Sequence, residues 1–189
     1  METKIRAFLA IELDREIQKN ILHCIEKELI SFTNIHFIKP ENLHFTLQFL
    51  GNINKQILPE LYDACTDTAL LFKSFEISLE TVGVFPNERS PRILWIGLHD
   101  EKYNLKNLSN IINEKTSHFP IKKEDRECTP HLTIGRIKVL KNIPALIDKL
   151  KKIENTSFGT QTISSFSLFQ STLTNTGPIY TKLKRFDLK

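Results

Sequence analysis

ENLHFTLQFLG, residues Glu41 to Gly51, sets an imidazole and a hydroxyl two positions apart in an otherwise apolar run. Alternate side chains of a β-strand point to opposite faces. A strict strand puts His44, Thr46 and Gln48 on one face and Phe45, Leu47 and Phe49 on the other. A strand built only for burial gains nothing from an imidazole and a hydroxyl, so the first face suits the wall of a wet cleft. The pattern returns in TPHLTIGR, Thr129 to Arg136, where His131 and Thr133 share a face opposed by Leu132 and Ile134. Chance would place two such His-x-Thr-apolar strings among six histidines in roughly 2% of chains of this composition. The two strands read as a faint internal duplication, one per lobe.

Working outward, IRAFLAIEL reads as an opening strand, and Asp14 as the N-cap of a helix over Asp14–Ile30. NIHFIK, a turn at PEN, and the first histidine strand follow, closed by Gly51-Asn52. Helices are expected over Lys55–Leu71, Glu101–His118 and Ala145–Lys152. SFEISLETVGVF and RILWIGLH read as strands around the loop PNERSP. The second histidine strand spans Thr129–Ile137, and ISSFSLFQSTL with IYTKLKRFDL forms a closing hairpin. Strands separated by short turns outnumber helices, which argues for α+β with largely antiparallel sheets and flanking helices. No linker divides the chain, so residues 1–189 read as a single domain made of two lobes.

The 189 residues can bury a real core. No apolar run approaches the roughly 20 residues of a membrane span, and the N-terminus is too short in apolar residues for a secretory signal. Cys24, Cys65 and Cys128 are few and scattered, which suggests reduced thiols in a cytoplasmic protein. Residues 1–100 hold 10 Lys/Arg against 14 Asp/Glu, and residues 101–189 hold 16 against 8. The basic second half is compatible with a polyanion such as RNA.

Neither histidine motif holds Asp, Glu or Cys at ligand spacing, so no metal site is expected. Cys128 three before His131 lacks a second pair. There is no nucleophile signature and no Gly-rich phosphate loop, and no cofactor is expected. Two imidazoles suit acid–base chemistry near neutrality, one neutral and one protonated. Two hydroxyls beside them can donate to phosphoryl oxygens as charge develops. The expected chemistry is metal-free cleavage or formation of a phosphodiester.

His44-Phe45-Thr46-Leu47 and His131-Leu132-Thr133-Ile134 resemble the paired HXTX motifs of the two-histidine (2H) phosphoesterase superfamily. RAFLAIEL, KPENLHFTLQFLG, SPRILWIGL, TPHLTIGR and GPIYTKLKRFDL are similar to blocks of its RNA 2′,3′-cyclic phosphodiesterase branch, once called 2′-5′ RNA ligase. The resemblance covers Arg6 to Leu188. It implies a two-lobed, pseudo-twofold fold with the histidines facing across a cleft. It also implies opening of a terminal 2′,3′-cyclic phosphate of RNA to a 2′-phosphate; the chain is expected to act as a monomer. By motif, His44 is the proton donor to the departing 3′ oxygen, His131 the proton acceptor, and Thr46 and Thr133 bind the non-bridging oxygens. The reverse reaction, joining RNA ends through a 2′-5′ linkage with the histidine roles exchanged, is implied as well. Arg136 stands where the second motif has an arginine and could hold a phosphate. Strict alternation puts it on the face opposite His131, so it serves only if the strand ends or bulges after Gly135. Trp95 and most phenylalanines are expected in the core, and His23, His36, His99 and His118 in surface or packing roles. A phosphodiesterase for a small cyclic or 2′-5′-linked nucleotide and a non-catalytic RNA-binding module are the rival readings.

Overall fold

The run Ala7-Phe8-Leu9-Ala10-Ile11 is apolar at every position because its strand is covered on both faces. In the computed structural model, which describes residues 3–121, 130–139, 141–175 and 177–189, this strand is β1 (Lys4–Glu12). Ile5, Ala7, Leu9 and Ile11 enter the main core, while Phe8 and Ala10 join a second, smaller cluster with Phe169 on the opposite face. Helix α1 (Arg15–Cys24) follows and runs on as a π-helical turn over Ile25–Leu29. It buries Ile17, Ile21, Ile25 and Leu29, one residue in four, along a single stripe. Asp14 holds the N-cap position without a side-chain cap bond; its backbone N–H donates to Gln161 instead.

The remaining strands are β2 (Ile35–Phe37), β3 (His44–Asn54), β4 (Phe75–Phe85), β5 (Ile93–His99), β6 (His131–Ile137), β7 (Ser157–Ile163), β8 (Ser165–Thr174) and β9 (Gly177–Asp187). Helices α2 (Leu58–Ala69), α3 (Asn104–Thr116) and α4 (Ile143–Lys152) complete the fold. Two antiparallel sheets result, one in the order β3-β1-β8-β9 and the other β2-β6-β5-β4-β7. Helices α2 and α3 pack on the four-stranded sheet, and α1 and α4 on the five-stranded one. One continuous core joins the covered faces of both. The architecture is the expected two-lobed α+β fold, with one His-x-Thr strand in each sheet.

Two departures from strict alternation shape β3. The pairing steps from Leu9↔Gln48 to Ala10↔Thr46, so Leu47 forms a bulge. Gln48 therefore leaves the face of His44 and Thr46. It is buried, and its side chain hydrogen-bonds Thr116 of α3 at 2.9 Å. The bulge frees the Leu47 carbonyl, which accepts from the Ser109 hydroxyl at 2.7 Å. The same bulge turns Phe49 onto the open face opposite Phe8, and a second one at Leu50, beside Gly51 at φ 72°, carries the strand past Gly51-Asn52 to Asn54.

Strand β7 is absent from the sequence-based expectation. Its buried positions are Phe158, Gln161 and Ile163. A bulge at Phe158, beside Gly159 at φ 118°, breaks the period-two pattern, and a glutamine fills an inward position by bonding the Glu12 carbonyl and Asp14 N–H. Cys24 and Cys65 are free thiols; burial pushes Cys65 up to about 12. Cys128 and Thr129 lie outside the described residues. No helix among those residues is long and apolar enough to cross a membrane.

Candidate active site

His44 opens β3 directly after a 3-10 turn at Pro40–Asn42. That turn presents the Asn42 carbonyl to the imidazole, which donates from Nδ1 at 2.7 Å. This bond fixes the ring and leaves Nε2 for a ligand. The His44 ring lies 4.9 Å from Phe8 and 5.2 Å from Tyr180, the latter edge-on at 90°. Burial pulls its pKa below the ordinary imidazole value, partly offset by the Asn42 bond. Beside it is a cavity of about 170 Å³ bounded by Glu12, Asn42, Phe169, Tyr180 and Lys182. Lys182 Nζ pairs with Glu12 at 2.6 Å, and Glu12 is the cross-strand neighbour of His44. Thr46, opposite Ala10, is exposed on the same face.

The five-stranded sheet repeats the arrangement. His131 pairs with Gly97 and Thr133 with Trp95. The Phe85 ring meets His131 edge-on at 5.1 Å and stacks on Trp95 at 5.1 Å. Each imidazole therefore has an aromatic ring against it, Tyr180 in one sheet and Phe85 in the other. Trp95 is half-buried on the face of Thr133, which corrects its assignment to the core. It lies flat there because Gly83 has no side chain: a Cβ at that position would come within 2.4 Å of the indole. Gly83→Ala is expected to cost about 1–3 kcal/mol through overpacking and to displace Trp95 and Phe85. Thermal denaturation checks the cost. Fluorescence checks the displacement, since Trp95 is the chain's single tryptophan.

Arg136 returns to the cleft face by another bulge. The pairing passes from Trp95↔Thr133 to Leu94↔Gly135, leaving Ile134 unmatched. Ile134 and Gly135 are both buried, and Arg136 emerges with His131 and Thr133. The bulge thus falls before Gly135. Arg136 is paired across β2 with His36, which places that histidine on the same face. Strands β3 and β6 run against each other, and the positive charge of Arg136 reaches the Tyr180 phenol, which burial pushes up and Arg136 and Arg6 pull down. Tyr180 itself touches His44 edge-on. Among the other histidines, His118 pairs with Glu60 at 3.6 Å on the surface.

Phe8, Phe85 and Tyr180 carry no local signal of this role, because only the two-sheet arrangement brings them to the imidazoles. Among the described residues no group of three or more His, Cys, Asp or Glu side chains converges. Each sheet presents an imidazole and a hydroxyl on one face, and the five-stranded sheet adds a guanidinium; these are side chains suited to proton transfer at a phosphorus centre.

Comparison with known proteins gives the family. Residues 11–95 and 96–180 each match the family described as LigT like Phosphoesterase, one match for each His-x-Thr strand. The chain belongs to the LigT-like 2H phosphoesterases, and the two matches make the internal duplication explicit. Among its relatives, the RNA 2′,3′-cyclic phosphodiesterase of Archaeoglobus fulgidus is 36% identical over 183 residues, 97% of this chain and 100% of that protein. That of Methanothermobacter thermautotrophicus is 34% identical over 185 residues, 98% and 100% of the respective chains. A crystal structure of a Thermus thermophilus protein superposes with a TM-score of 0.83 at 26% identity, covering 97% of this chain and 98% of the other. LigT of E. coli complexed with 3′-AMP shares the fold, with a TM-score of 0.82 at 24% identity over 99% of both chains.

Proposed function

We propose that this chain, acting as one two-lobed unit, hydrolyses 2′,3′-cyclic phosphate ends of RNA to 2′-phosphomonoesters. The observation that carries the reading is the duplicated His-x-Thr face, one copy in each sheet, with Arg136 brought to the face of His131 and Thr133 by the Ile134 bulge. The names of the curated relatives support the same substrate class. His131 takes a proton from water as its oxygen attacks phosphorus. Charge gathering on the non-bridging oxygens is met by the Thr46 and Thr133 hydroxyls and by Arg136. The bond from phosphorus to the 3′ oxygen breaks as His44 Nε2 delivers its proton there, and the phosphate stays on the 2′ oxygen. A ribose 5′-hydroxyl in place of water yields a 2′-5′ linkage by the same steps. Ligation therefore keeps the histidine roles, which corrects the exchange expected from the resemblance, and they exchange only when a 2′-5′ linkage is cleaved back to the cyclic phosphate. Turnover of a nucleoside 2′,3′-cyclic phosphate tests the reading, and no turnover by the folded protein would refute it.

Two further outcomes follow from the scheme. Dialysis against EDTA should leave hydrolysis intact, since no step uses a metal; loss restored by a divalent ion would defeat it. The pKa of His44 must also move with the ligand. In the free protein burial favours the neutral ring, so its proton NMR titration should have a midpoint below the ordinary value of about 6.5. A bound phosphate favours the imidazolium, so a nucleoside 2′-phosphate should raise that midpoint and its binding should take up protons. A midpoint that stayed put would separate His44 from the phosphate.

A further inference from the structure

On the cleft face of the four-stranded sheet, Arg6 has no task in the reaction above. Lys182 and Arg185 are neutralised by Glu12 and Asp187. Arg6 forms no ion pair among the described residues. It is held instead over the Phe49 ring at 4.9 Å, which the Leu47 bulge turned onto this face. From there the contacts run in series: Phe49 packs with Phe8, Phe8 meets Tyr180 edge-on at 4.9 Å, and Tyr180 meets His44 at 5.2 Å. Arg6 thus sits at the end of the aromatic cluster away from His44, and the Tyr180 hydroxyl is within the influence of both its charge and that of Arg136.

A guanidinium fixed on a ring and lacking a carboxylate, with a phenol donor nearby, is suited to an oxyanion. We propose that Arg6 and Tyr180 form a second anion subsite for the phosphodiester on the 5′ side of the terminal nucleotide, so that the protein selects oligonucleotide ends over free nucleoside cyclic phosphates. The assignment rests on the reading of the substrate as RNA. A polymer end always carries that second phosphate and a mononucleoside cyclic phosphate lacks it, so the subsite would read chain length without reading sequence.

Calorimetry with adenosine 2′-phosphate and adenosine 2′,5′-bisphosphate separates the subsite from the chemistry, because neither ligand is turned over. The 5′-phosphate stands in for the upstream phosphodiester. It should tighten binding at least about tenfold, the factor one charge-assisted hydrogen bond supplies. Arg6→Gln should bring the ratio of the two affinities to about one, and Tyr180→Phe, which keeps the ring against His44, should reduce it in part. Equal affinities in the unaltered protein, or a ratio retained in Arg6→Gln, would overturn the proposal. If cyclic phosphates were not hydrolysed but the affinity ratio persisted and depended on Arg6, the phosphodiesterase reading would fail and the subsite would stand.

Discussion

Replacement of His44 or His131 by alanine is expected to slow cyclic-phosphate hydrolysis by about 10²–10⁴, the range for loss of a positioned acid or base. Neither side chain is needed for the core: both are half-buried on an open face, and Phe45 and Leu132 behind them carry the packing. The loss should therefore appear in kcat with the melting temperature nearly unchanged. The double variant should be little worse than either single one, because acid and base act in one transition state. The two variants should still differ in kind. A substrate whose leaving group departs without protonation dispenses with the acid, so it should rescue His44→Ala far more than His131→Ala. Residual activity should lose its fall at high pH in His44→Ala and its fall at low pH in His131→Ala. Rescue of His131→Ala instead would exchange donor and acceptor.

Thr46→Ala and Thr133→Ala should each lower kcat roughly 10²-fold, the low end for loss of one oxyanion donor, because the other hydroxyl and Arg136 remain. Substrate binding should suffer less than kcat, since the charge these hydroxyls meet grows only as the bond to phosphorus changes. Thr46→Ser and Thr133→Ser retain the donor and should recover most of the rate. Thr46 is exposed on its strand, so its truncation opens no core cavity and a rate loss reports chemistry. Equal activity of the alanine and wild-type proteins would remove the hydroxyls from the phosphate.

The expected elements were legible wherever period and punctuation agreed. The i, i+4 stripe of α1 and the continuous apolar run of β1 needed no tertiary information, and the repeated His-x-Thr pattern located both strands that carry the site. What the sequence hid is mostly bulges. Leu47, Leu50, Ile134 and Phe158 each insert one residue into a ladder, and each insertion moves the following side chains to the other face. That is why Gln48 lies in the core, Phe49 on the open face and Arg136 beside His131. A bulge is stabilised by distant partners, such as Ser109 on the Leu47 carbonyl, and no window around residue 47 contains residue 109. The aromatic neighbours were hidden for the same reason, since Tyr180 and His44 meet only after the sheet has formed.

The most direct test is the product formed from a short oligonucleotide ending in a 2′,3′-cyclic phosphate, followed by phosphorus NMR. The two-histidine scheme predicts a single new 2′-phosphomonoester, formed in EDTA and nearly lost in both His44→Ala and His131→Ala. A 3′-phosphomonoester, no product from the folded protein, or a yield from either histidine variant equal to that of the unaltered protein would contradict it.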